Sequence, residues 1–278
     1  MSNTQVKFEH FRHLHESPGA FVIPNPWDAG SARILTGLGF QALATTSAGL
    51  AVSLGRQDGV GLVSRDQVLA NAAAIVQATH LPVSGDLESC YSAHPEGCGE
   101  TIRLASAAGL VGGSIEDTTG DTASPIREMS EAVERVAAAA EAARKLPFLL
   151  TARAENFLWG RPDLDDTIRR LQAYSAAGAH VLYAPCLPSL DAIHAVCCAV
   201  DKPVNVVMGL RGPAWSVAEL AAAGVRRISV GGSLARFAIT ALVRAASEMR
   251  DFGTFTYAAD NMSHSEVSAC MMSAETQV

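Results

Sequence analysis

The chain has 278 residues, enough for one large domain or two ordinary ones, and 49% of them are hydrophobic, ample for a sizeable core. Its formal net charge of −7 argues against a nucleic-acid-binding surface, which collects basic residues. No apolar run reaches the roughly 20 residues of a membrane helix, and the N-terminal MSNTQVKFEHFRHLHESPG lacks the apolar stretch of a secretory signal.

In chain order, strand signals fall near 20–24, 41–46, 82–86, 111–116, 147–152, 180–184, 203–207 and 226–230. Helical patterns separate most of them, at 64–79, 97–108, 128–145, 163–177, 189–200 and 216–223, with a last one at 233–249. Two phrases alternate. TGLGFQALATT (36–46), SAAGLVGGSIED (106–117), SAAGAHVLYAP (175–185) and AAAGVRRISVGG (221–232) each end a helix on glycine and start a buried strand. Between them stand GAFVIPNPWD (19–28), LPVSGDLE (81–88), LPFLLTARAE (146–155) and KPVNVVMG (202–209). Three of these open on X-Pro, where proline's missing N–H does least harm.

Strands alternating with helices imply parallel pairing with right-handed crossovers. Eight such units predict an α/β fold, a closed (β/α)8 barrel of the TIM type, whose usual size is ~250 residues. A doubly wound open sheet is the alternative, but no GxGxxG follows an early strand. Residues 1–255 read as the single barrel domain and 256–278 as a C-terminal extension with a poorly ordered end. Cys90, Cys98, Cys186, Cys197, Cys198 and Cys270 show no CxxC spacing and read as reduced, mostly packed thiols of a cytoplasmic protein.

A barrel keeps its chemistry at the C-terminal ends of the strands. Those ends carry Asn25 and Trp27, Ser47, Asp86 and Glu88, Glu116 and Asp117, Arg153 and Glu155, Tyr183, Asn205, and Gly231-Gly232-Ser233. The strand interiors read as apolar, apart from Arg226 and Arg227 at the opposite end of strand eight. Asp86, Glu88 and Glu116, from neighbouring strands, are hard oxygen donors suited to Mg²⁺ or Mn²⁺. Singly, each would more simply cap a helix or pair with Arg153. Arg153 can hold a substrate carboxylate or stabilise an enolate, or else serve as counter-ion to Glu116 or Glu155.

Absences narrow the chemistry. The only lysines are Lys7, Lys145 and Lys202, none at the C-terminal end of a strand, which excludes a Schiff-base lysine. Among the histidines only His94 could reach the rim. Metal, carboxylates, one arginine and backbone donors of Ser47–Gly49 and Gly231–Gly232 suit an α-keto or 2-hydroxy acid reacting through an enolate.

With PNPWDAGSARILTGLGFQALATTSAGLAVSLGRQDG (24–59), DLE (86–88), GGSIED (112–117), TARAE (151–155) and NVVMG (205–209) in this order, the chain resembles the isocitrate lyase/phosphoenolpyruvate mutase superfamily over residues 8–260. The resemblance implies a Mg²⁺-dependent barrel whose last helix is swapped between subunits of a homodimer or homotetramer. By position it implies that Ser47, Ala48 and Gly49 cradle the substrate, and that Asp58 approaches the reacting group. It makes Asp86 a direct metal ligand and Glu88 and Glu116 a water-mediated acidic shell. It has Arg153 and Asn205 contact the substrate, and Trp27 flank the pocket.

The chain also departs from the family. Where isocitrate and methylisocitrate lyases carry a KKCGH-type loop, it reads EDTTGDTASPIREMSE (116–131), without cysteine, lysine or histidine. The glutamate those lyases place after strand six gives way to YAPCLPSL (183–190), where Cys186 reads as a packing residue. The lysine-asparagine loop of the phosphonate-forming mutases is missing too. Around Tyr91, Cys90 and Ser92 replace the glycines usual in the family, which predicts a narrower or stiffer rim.

The expected function is a Mg²⁺-dependent C–C lyase or decarboxylase of a small α-keto or 2-hydroxy (di)carboxylic acid. The alternatives are a phosphonopyruvate hydrolase or phosphonomutase, for which Arg127 is the only loop cation, and a non-catalytic ligand-binding relative.

Overall fold

The computed structural model describes residues 3–272. Helix α1 (Asn3–Glu16) precedes β1 (Phe21–Ile23), α2 (Ala29–Gly37), β2 (Leu43–Ala44) and the short α3 (Ser47–Ser53). Next come α4 (Arg65–Gln77), β3 (Val83–Asp86), α5 (Pro95–Ala107), β4 (Gly112–Glu116), α6 (Met129–Ala143), β5 (Leu149–Arg153) and α7 (Leu164–Ala176). The chain continues through β6 (Val181–Tyr183), α8 (Leu190–Ala199), β7 (Val204–Val207), α9 (Val217–Ala222), β8 (Arg227–Ser229), α10 (Ser233–Phe252) and α11 (His264–Met271). All eight predicted strands are present, each shorter than its sequence signal.

The strands form one parallel sheet in the order β1-β8-β7-β6-β5-β4-β3-β2, a nearly closed (β/α)8 barrel. The β1–β2 seam has no ladder. It is closed by the Ala44 N–H on the Pro24 carbonyl at 3.1 Å and by the Asn25 side chain. Asn25 Nδ2 donates to the Thr45 carbonyl, and its Oδ1 accepts from the N–H groups of Val230 and Gly231, each at 2.9 Å. Asn25, read from sequence as a rim residue, thus ties three strands together.

Helix starts follow local chemistry. Ser64 with Gln67, Asp28 with Ser31, and Ser216 with Glu219 form reciprocal capping boxes at α4, α2 and α9. Helix α1 has no counterpart among the predicted elements because NTQVKFEHFRHLHE is largely polar. It plugs the bottom of the barrel with Phe11, Leu14 and His15, packed with Ile23, Ala42, Val111 and Leu149. Full burial of Phe11 stabilises by roughly 2 kcal/mol. Gly112 makes room for it: a Cβ there would meet Phe11 Cε1 at 2.8 Å.

The expectation of apolar strand interiors is overturned. Ser84, Ser114, Thr151 and Ser229 are buried polar residues of the strands, beside Asn205 and Arg227, which the sequence had set apart. Arg227 links β8 across the lumen: Nε donates to Asn205 Oδ1 at 2.8 Å and Nη2 to Thr151 Oγ1 at 3.0 Å. Its Nη1 stands 3.4 Å from His15 Nε2. Because a guanidinium only donates, His15 Nε2 is the acceptor, and Nδ1–H faces the Phe11 carbonyl at 2.8 Å.

Burial first, then the Arg227 charge, lowers the His15 pKa to about 3. His15 is therefore neutral in the fold and takes up a proton on unfolding below about pH 6.5. Stability is expected to fall as pH drops from about 6.5 toward 3, by roughly 1.4 kcal/mol per pH unit from this residue. Urea unfolding at pH 7 and pH 4.5 should show His15→Gln losing less stability on acidification than the unaltered protein. Parallel losses would overturn the assignment.

Within the extension, α11 lies against α2, where Arg33 Nη1 donates to the Met271 carbonyl at 3.1 Å. The predicted disorder at the chain end falls on 273–278, outside the described residues. Among the thiols, Cys90 and Cys98 are buried as expected, but Cys186 and Cys198 are exposed, so packing does not account for Cys186.

Candidate active site

Parallel register sets Glu116, Arg153 and Tyr183 side by side at the ends of β4, β5 and β6. Arg153 is the hub. Its Nη1 stands 2.7 Å from Glu116 Oε1 and 3.4 Å from Asp86 Oδ1, and its Nε 2.6 Å from Glu155 Oε1. The guanidinium lies 4.7 Å from the Tyr183 ring centroid, a cation–π contact. Burial pulls the Arg153 pKa down, but Glu116 and Glu155 outweigh it and hold the charge firmly on. Among the described residues Nη2 has no acceptor, which leaves one edge of the fork for a ligand.

Asp86 ends β3 with both carboxylate oxygens engaged. Oδ2 accepts from the Ser47 N–H at 3.0 Å, at the start of α3, and Oδ1 faces Arg153 and Ser114 Oγ. Thr45 Oγ1 accepts the Asp86 N–H at 2.9 Å and fixes the strand end. In the predicted Ser47–Gly49 cradle, Ser47 N–H thus serves Asp86, while Gly49 N–H caps on Thr46 Oγ1 at 3.3 Å. Only glycine fits at 49, since a Cβ would lie 2.7 Å from both Trp27 and Thr46. Trp27 therefore borders the cradle, and Ala48 Cβ lies 3.0 Å from where a Cβ on Gly232 would stand.

Beyond Asp86 the chain turns sharply. Glu88, Cys90 and Tyr91 have φ of 46°, 62° and 54°, the left-handed region that costs an L-residue on the order of 1–2 kcal/mol. Cys90 and Tyr91 adopt it with side chains present, which strains this rim, whereas Ser92 is not left-handed. Tyr91 OH donates to Glu88 Oε1 at 2.9 Å. Burial, then the Asp86 charge, raises the Glu88 pKa to about 7. Asp58, on the exposed loop after α3, is raised by the same two causes, against a hydrogen bond from Ser47. Burial holds Glu116 and Glu155 above the usual carboxylate range, Arg153 opposing in both.

The four carboxylates of Asp58, Asp86, Glu88 and Glu116 therefore share one space with a single arginine. Among the described residues no three His, Cys, Asp or Glu side chains form a preformed metal cage. Arg153 occupies the gap between Asp86 and Glu116. The donor set still fits a hard divalent cation, because all are oxygen ligands whose mutual repulsion such an ion relieves. Asp86 and Glu88 could hold it, with Glu116 and Asp58 nearby. From here an open groove of about 880 Å³ runs past Tyr91 to Arg127 and Trp159.

Asn205 is buried beneath this rim. Its amide is engaged by Arg227 and by Ser229 Oγ at 3.1 Å, so it braces the floor. His94 is exposed. Segment 117–127 is a small hairpin with a Thr118–Ile126 bridge, closed by Thr119 N–H to Pro125 and Arg127 N–H to Asp117. Arg127 pairs with Glu131 and donates to the Thr118 carbonyl at 3.0 Å. Asp117 is a buried brace, accepting from Tyr174 OH at 2.7 Å and from Arg170 at 3.2 Å. Sequence reasoning missed the Tyr91–Glu88 bond and Arg135, whose only signal was a lone arginine in an alanine-rich helix.

The sequence profile of the phosphoenolpyruvate phosphomutase family matches residues 11–250. A crystal structure described as a lyase/mutase from Burkholderia cenocepacia J2315 superposes with a TM-score of 0.93 at 55% identity, covering 96% of each chain. Oxaloacetate decarboxylase of Chromohalobacter salexigens is 29% identical over 87% of this chain and 84% of its own. The 2-methylisocitrate lyase of Escherichia coli K12 is 28% identical over 71% of this chain and 69% of its own.

Proposed function

The chain belongs to the phosphoenolpyruvate phosphomutase family, within the isocitrate lyase/phosphoenolpyruvate mutase superfamily, and from that premise we propose a divalent-metal-dependent C–C lyase or decarboxylase. Its substrate is a small α-keto or 2-hydroxy (di)carboxylic acid, cleaved through an enolate. The observation that carries this reading is Arg153, held at the barrel mouth among Asp86, Glu116 and Glu155 with one edge left open.

In this mechanism the open edge of Arg153 takes the substrate carboxylate, and the α3 start beside Trp27 orients the pyruvyl end. Mg²⁺, or Mn²⁺, bound at Asp86 and Glu88 would supply a Lewis acid for the α-oxygen. When the C–C bond of a β-keto acid breaks, CO₂ leaves and the electron pair passes to the pyruvyl oxygen, facing the Arg153 charge. Asp58, its pKa raised, returns a proton to the enolate carbon. Asp58→Asn is expected to lower turnover by at least about 10²-fold while oxalate binding is retained. Equal loss of both would remove Asp58 from the proton path.

C–P chemistry, as phosphonopyruvate hydrolysis or phosphonate mutation, is the second reading, carried by the family profile. Against it, the loop cation Arg127 is neutralised by Glu131. The protein should be incubated with Mg²⁺ and oxaloacetate, alkylated malates, methylisocitrate or phosphonopyruvate, following pyruvate, glyoxylate and phosphate. Pyruvate without phosphate supports the lyase, and phosphate supports the second reading. Silence with tight oxalate binding would make the chain a non-catalytic relative.

We place the enzyme in the cytoplasm as a homodimer or homotetramer with α10 swapped between subunits. No helix among the described residues is long and apolar enough to cross a membrane. Phe237, Leu242 and Phe252 of α10 are 77%, 67% and 78% exposed, an apolar surface suited to a second copy.

A further inference from the structure

Helix α6 carries one arginine, two residues ahead of four consecutive alanines, and it is 1% exposed. Arg135 forms no ion pair among the described residues. Its Nη2 donates to the Ser89 carbonyl at 2.6 Å and the Ser92 carbonyl at 2.9 Å. Its Nε and Nη1 are buried without a partner. A full charge is thus buried to hold two backbone carbonyls, where an apolar side chain would pack more favourably.

Those carbonyls flank Cys90 and Tyr91, in a turn where Glu88, Cys90 and Tyr91 are all left-handed. A turn with three such residues persists only when its surroundings over-determine it. The backbone is further tied by Cys90 N–H to the Leu87 carbonyl at 2.8 Å, Glu116 N–H to the Glu88 carbonyl at 2.9 Å and Thr101 Oγ1 to the Cys90 carbonyl at 2.8 Å, while Tyr91 OH holds the Glu88 carboxylate and Ser92 bonds to His94 within the turn.

We propose that Arg135 is the positioning residue of the metal site, gripping the turn from behind so that Glu88 faces Asp86. This rests on the metal-dependent reading above. Residues behind a metal ligand typically change affinity by roughly 10–100-fold when removed.

Arg135→Met, Arg135→Lys and, as a packing control on the same helix, Val136→Ala would be compared as full-length proteins. Hydrogen exchange of 86–93 and 129–143, Mn²⁺ affinity and the thermal midpoint would be read. Arg135→Met should accelerate exchange at Cys90 and Glu116 and weaken Mn²⁺ binding at least about 10-fold, with Arg135→Lys in between. Val136→Ala should lower the midpoint and leave Mn²⁺ affinity unchanged.

Unaltered exchange in the turn overturns the proposal. So does Mn²⁺ affinity that tracks the midpoint across all three variants. If Arg135→Met does not fold, Arg135→Lys carries the comparison. If the unaltered protein binds no Mn²⁺, the metal reading fails, and exchange alone decides whether Arg135 holds the turn.

Discussion

Arg153→Met is expected to lose roughly 3–5 kcal/mol of stability and at least about 10²-fold in turnover. Among the described residues the guanidinium is the only cation paired with Asp86, Glu116 and Glu155, and Glu155 is fully buried with one oxygen already lacking a partner. Removing it leaves three carboxylates facing one another at low dielectric, where like charges repel most strongly. The same substitution removes the fork edge that meets the substrate carboxylate. Thermal unfolding with and without Mg²⁺ separates the two effects. Mg²⁺ should raise the midpoint of the variant more than that of the unaltered protein, because it replaces part of the missing charge. An unchanged midpoint would mean that the carboxylates do not depend on Arg153.

Asp86→Asn should show the opposite pairing. Turnover and divalent-cation binding are expected to be lost, while the metal-free midpoint stays level or rises. The amide oxygen still accepts the Ser47 N–H, and the contact given up with Arg153 is the longest of its three, at 3.4 Å. In return, Glu88 and Asp58 are freed from the Asp86 charge, which is among the causes that raise both. A residue retained against its own repulsion is the mark of a functional site. Calorimetry in EDTA checks this. A loss above about 1 kcal/mol would make Asp86 a structural residue instead.

Seven of the eight strands were legible because three X-Pro openings and four helix-glycine-strand phrases punctuate the chain, and β1 by the short apolar run AFVI before Pro24. The carboxylates and Arg153 were legible by their place at strand ends. The barrel floor was not. In strands such as VNVV and RIS, Asn205 and Arg227 alternate with apolar residues, and sequence alone does not show that the polar side meets its own partners across the lumen. Helix α1 hid its role in a mostly polar sequence, since a plug needs only Phe11, Leu14 and His15 to face inward. The turn at 88–92 was hidden for another reason: Cys90 and Tyr91 adopt a backbone conformation that glycine normally announces. Asp58 came only from the family resemblance, because a loop residue's neighbours depend on the whole barrel.

The unladdered seam between β1 and β2 makes the barrel, in mechanical terms, a hoop with a clasp. Its other strand pairs are zipped by parallel ladders, whereas this one hangs on Asn25 and a single backbone bond. Asn25 is the pin of that clasp: its amide nitrogen fastens the end of β2 and its oxygen the segment after β8. Ser47, whose N–H meets Asp86, lies three residues beyond the strand so fastened, so the part that shuts the hoop also stands next to the site.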